Sequence, residues 1–77
     1  MEFPYNAVIF EPQNIFNSAI IRTEKNHLVY SFEKLVDALM ETGLTYYESV
    51  EYIDFNMIQP AIENWPDIES EDEIPEE

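Results

Sequence analysis

The chain has 77 residues, no cysteine and a formal net charge of −14 at pH 7. That length allows one domain with one modest core, and the lack of cysteine excludes a disulfide framework and a thiolate metal site. Apolar residues at 45% and aromatics at 14% exceed what disordered chains carry, so a single folded domain is expected over 1–68, with an acidic flexible tail over 69–77.

The start, Met1 to Asn6, has no basic stretch leading into a long apolar run, which argues against a signal peptide. No apolar run approaches the ~20 residues that span a bilayer. A cytoplasmic protein without membrane contact is the expectation. Asn6-Ala7-Val8-Ile9-Phe10 reads as a first strand closed by Glu11-Pro12. Pro12 to Asn17 is a connection, and Ser18-Ala19-Ile20-Ile21-Arg22-Thr23, rich in β-branched residues, is a second strand. Glu24-Lys25-Asn26 is a hairpin turn leading into a third, His27-Leu28-Val29-Tyr30.

The apolar period then changes from two to about 3.6. Ser31 is the expected N-cap of a helix whose inner face carries Phe32, Leu35, Val36, Leu39 and Met40 and whose outer face carries Glu33, Lys34, Asp37 and Glu41. Gly43, the only glycine, stands where a left-handed C-terminal cap is favoured. Thr45 and Glu48 have capping-box spacing and open a second helix. Its buried stripe is expected to be Tyr46, Val50, Ile53 and Met57, with Phe55 also assigned to the core, and Pro60 limits it. The stretch 61–68 either adds a short edge strand or lies across the sheet, anchored by Trp65. The fold class is therefore α+β: a small, mainly antiparallel sheet of three strands, with a fourth optional, against two consecutive helices.

Two stretches resemble a group of small uncharacterised proteins encoded mainly by bacteriophages. One is Ser18-Ala19-Ile20-Ile21 followed by Leu28 to Val36; the other runs from Thr42 to Asn56 and ends in Glu51-Tyr52-Ile53-Asp54-Phe55-Asn56. The resemblance covers about half the chain, implies the same strand, turn and two-helix order, and raises the expectation of a small host-directed inhibitor. It implies no particular chemistry.

Catalysis is not expected. His27 is the only histidine and reads as a surface residue. Close carboxylate pairs among 17 acids arise by chance. Calcium, Walker and dinucleotide loops all need glycines the chain lacks, so no metal or cofactor is expected.

Charge layout carries more. Residues 1–34 hold four acids and all three bases; residues 35–77 hold thirteen acids and no base. An ordinary solvated helix face interleaves lysine with glutamate because such pairs at i,i+4 stabilise it. A base-free acidic half instead repels nucleic acid and attracts basic surfaces. Glu48, Glu51 and Asp54 step by three on the second helix, about 5 Å of rise, with Asp37 and Glu41 on the first. Tyr47 and Tyr52 fall off the buried stripe, beside these acids, as tyrosines at binding surfaces do. The expected partner-binding set is thus Asp37, Glu41, Tyr47, Glu48, Glu51, Tyr52 and Asp54. The expected partner is a basic, nucleic-acid-binding host protein of a defence or DNA-processing system, blocked by mimicry of DNA. The alternatives are an oligomeric accessory protein and, with only three bases available for phosphates, a sponge for a signalling nucleotide.

Overall fold

The computed structural model describes residues 7–60 and 62–70. In chain order these form a short helix α1 (Gln13–Phe16), a 3-10 turn (Asn17–Ala19), strands β1 (Ile20–Glu24) and β2 (His27–Ser31), helices α2 (Phe32–Glu41) and α3 (Tyr46–Ile53), a π-helical turn (Asp54–Ile58) and strand β3 (Asp67–Glu69). The fold is α+β, with a mixed sheet in the order β1-β2-β3.

The β1–β2 hairpin is antiparallel, with Thr23 opposite Leu28 and Glu24 opposite His27. Ser18 and Ala19, read as the start of the strand, belong instead to the 3-10 turn. β3 pairs parallel to β2, Val29 with Asp67 and Ser31 with Glu69. Parallel neighbours need a crossover, and α2 and α3 supply it. The third strand therefore comes from the end of the described chain and not from its start. Residues 7–10 form no ladder; Asn6 lies outside the described residues. Both sides of β2 are taken by β1 and β3, and residues 7–10 pair with neither outer edge of the sheet. The Phe10 N–H donates instead to the Tyr30 hydroxyl at 3.1 Å, and the Phe10 ring packs on Tyr30 and, edge-on, on Trp65.

Both helix starts follow from side-chain chemistry. The Ser31 hydroxyl accepts from the Lys34 N–H. Thr45 and Glu48 form a reciprocal capping box, each side chain accepting from the other's backbone N–H. Gly43, at φ 115°, follows the α2 C-cap Thr42 in a conformation glycine adopts without Cβ strain. Thr45→Ala is expected to cost about 1 kcal/mol through loss of the cap, read as a lower urea midpoint at unchanged slope. An unchanged midpoint would contradict the cap's role.

The core holds Phe10, Phe16, Ala19, Leu28, Tyr30, Leu35, Val36, Leu39, Ile53 and Met57. Three expected members of the inner faces are exposed instead. Tyr46 is 59% and Phe55 62% exposed. Tyr46 is the first residue of α3, ahead of the buried positions Ser49 and Ile53. Phe55 lies two residues from buried Ile53, about 200° around a helix. Met40, expected on the inner face of α2, is also exposed, while Phe32 is half-buried. The inward places on α3 go to Ser49 and Ile53, and the Ser49 hydroxyl is satisfied by the Thr45 carbonyl.

Past the π-helical turn, Asn64 adopts a left-handed conformation at φ 63°, which asparagine tolerates better than most residues. Trp65 then anchors the entry to β3 by donating its indole N–H to the Met57 carbonyl at 2.5 Å. Glu69, read as the first residue of the tail, is the last residue of β3. Residues 71–77 of that expected tail lie outside the described residues.

Candidate functional site

The strand register divides the sheet into two faces. Leu28 and Tyr30 enter the core, so Arg22, Glu24, His27, Val29, Asp67 and Glu69 share the opposite face. There Arg22 donates to Glu24 at 2.7 Å and, through both terminal nitrogens, to the two oxygens of Glu69 at 3.2 and 2.6 Å. His27 Nε2 lies 3.0 Å from an Asp67 carboxylate oxygen. The chain's only arginine is therefore held by its own carboxylates, a bidentate geometry that guanidinium favours.

The hydrogen bonds and charge of Arg22 hold the Glu69 carboxyl below its usual range. A depressed folded-state value stabilises the fold above the ordinary carboxylate pKa of about 4, and that stabilisation is lost as pH falls through the depressed value. The pair is exposed and screened by solvent. The melting temperature gap between wild type and Glu69→Gln should accordingly narrow as pH falls from 6 toward 2. A gap independent of pH would contradict the pairing. Burial, partly offset by the Phe10 N–H, pushes the Tyr30 phenol upward, in keeping with its core position.

With Arg22 tied to the sheet, the helices carry the unopposed charge. The expected binding residues do not form one surface. Asp37 and Glu41, both exposed, line a groove of about 470 Å³ with Lys34, Asn14, Ile15 and Ser18. Tyr47, 71% exposed, lies on the outer side of α3 with Glu51, and Asp54 follows at its C-cap. Glu48 is exposed, yet one of its oxygens is committed to the capping box. Tyr52 departs from expectation. It is half-buried and stacks on Phe16, ring centroids 6.5 Å apart, so its ring supports the core.

Two residues missing from the expected set join this outer face: Phe55, and Ile58 at 49% exposure. Positions 47, 51, 54, 55 and 58 recur at helical spacing, so Glu51 and Asp54 lie between Tyr47 at one end and Phe55 and Ile58 at the other. The signal was present as position on the helical wheel, since Phe55 and Ile58 fall away from the Ile53–Met57 line. The Asp54–Ile58 segment closes a wider turn, the Gln59 N–H donating to the Asp54 carbonyl, and π-turns of this kind often sit at functional sites.

Among the described residues no three His, Cys, Asp or Glu side chains are grouped to hold a metal ion, and no helix is long and apolar enough to cross a membrane. Comparisons with protein-family models, with curated proteins and with solved structures yield no match.

Proposed function

We propose that this chain is a non-enzymatic binding protein that occupies a basic, nucleic-acid-binding surface of another protein, using the outer face of α3 and the π-helical turn. The observation that carries the reading is the exposed Tyr47–Phe55–Ile58 stripe with Glu51 and Asp54 set between Tyr47 and Phe55. Large apolar side chains in such a row are characteristic of helices that lie in a partner's groove, and aromatics dominate the energetics of such contacts. The carboxylates select a groove of positive charge and speed the encounter.

The chemistry also weighs against the other readings. A phosphate-bearing nucleotide needs free cations, and Arg22 is engaged by Glu24 and Glu69. Self-association through α3 would bring Glu51 and Asp54 of two copies together, which like-charge repulsion opposes. The resemblance of residues 18–21, 28–36 and 42–56 to small bacteriophage proteins directs this proposal to a defence or DNA-processing protein as the blocked partner.

Capture from a bacterial lysate at low and high salt, with and without competing duplex DNA, tests the proposal. The expected result is a nucleic-acid-binding protein retained at low salt, displaced by DNA, and lost when Tyr47 and Phe55 are both replaced by alanine. Retention unaffected by salt, DNA and the double substitution would overturn it, as would a stable homo-oligomer with no captured protein.

A further inference from the structure

A second groove, of about 310 Å³, runs between α2 and the start of α3, lined by Phe32, Glu33, Val36, Asp37, Met40 and Tyr46. Its floor is apolar: Val36 is buried, Phe32 half-buried and Met40 42% exposed. Tyr46 forms an aromatic wall at 59% exposure. Carboxylates stand at its edge. Glu33 accepts a hydrogen bond from the Ser70 hydroxyl, whereas the Asp37 carboxylate has no hydrogen bond or ion pair among the described residues.

We infer that this groove receives an arginine side chain of the basic partner. The inference rests on the proposed function and names what its partner must present. An arginine has an apolar stem that lies along Val36 and Met40, a flat guanidinium that stacks on the Tyr46 ring, and paired N–H donors that reach Asp37. A purely apolar side chain would leave carboxylates desolvated without a counter-charge. Lysine carries the charge but not the flat, weakly hydrated face that stacks on an aromatic ring. The occupant comes from another molecule, because the chain's single arginine is held on the far side of the sheet by Glu24 and Glu69.

Titrating the 13C,15N-labelled chain with a capped hexa-arginine peptide, and in parallel with hexa-lysine, tests the inference. Hexa-arginine is expected to bind at least about five-fold more tightly, shifting the Met40 methyl and Tyr46 ring resonances. Tyr46→Ala and Asp37→Asn, both at exposed positions, should each remove that preference while leaving the circular dichroism spectrum unchanged. Equal binding of the two peptides overturns the groove inference but leaves the acidic surface standing. An arginine preference that survives both substitutions also overturns it. Failure of both peptides to bind at low salt overturns the groove and the proposed function together.

Discussion

Reversing Glu51 and Asp54 to lysine is expected to weaken partner binding by roughly a hundred-fold, about 2.7 kcal/mol. Both residues are exposed and lie on the stripe with Tyr47, Phe55 and Ile58. In the proposed complex they face positive charge, so each reversal removes an attraction and adds a repulsion. Most of the loss at low salt should appear in the association rate, and it should shrink as salt rises toward the regime where charges about 8 Å apart are screened. The folded state should not suffer. The two changes leave the chain four charges less negative than its formal −14, relieving self-repulsion, and a lysine at 54 sits at the C-terminus of α3, where the helix dipole favours a cation. Glu48 is left out because its carboxylate also caps α3, so its reversal would mix stability with binding. Surface plasmon resonance with the captured partner, beside thermal melting, separates the two effects. Undiminished affinity in the variant would remove this face from the interface.

Phe16→Ala should be the most damaging single truncation for stability, costing about 3–5 kcal/mol. A domain of this length has a total of roughly 4–12 kcal/mol to lose. Phe16 is 1% exposed and stands at the end of α1, where its ring meets Tyr52 of α3. Its removal leaves a cavity between elements far apart in sequence, one that backbone movement in a four-residue helix fills only in part. Urea unfolding followed by tryptophan fluorescence gives the number, with Trp65 as the only reporter. A loss under about 1 kcal/mol would show that this corner repacks freely. The same contact sets the role of Tyr52: Tyr52→Phe should leave partner affinity within about two-fold, because its ring acts through Phe16.

What was legible in the sequence was local. Ser31, Thr45 with Glu48, and Gly43 act on backbone groups within a few residues, so their spacing alone locates α2 and α3. The β1–β2 hairpin is local in the same sense. The pairing of β3 with β2 was not, because it joins residues about forty apart and depends on which edge the other segments leave open. Ala7 to Phe10 has the composition of a strand and loses that competition, giving its backbone donor to Tyr30. The candidate surface was half legible. Charge purity after Lys34 pointed to the helices, and Tyr47, Glu51 and Asp54 lie where helical spacing puts them. Phe55 is misplaced when aromatic character is weighed above angular position; Tyr46 has the right angle but stands at the first residue of α3; Tyr52 is misplaced because its partner, Phe16, lies in a segment that reads as a plain connection.

The most direct test of the binding face is a footprint. With the captured partner unlabelled and the chain 15N-labelled, signal loss and shift changes are expected to concentrate on Tyr47, Glu51, Asp54, Phe55 and Ile58, with the sheet face of Arg22, His27 and Glu69 undisturbed. A footprint centred on Arg22, His27 and Glu69, with α3 unperturbed, would contradict it.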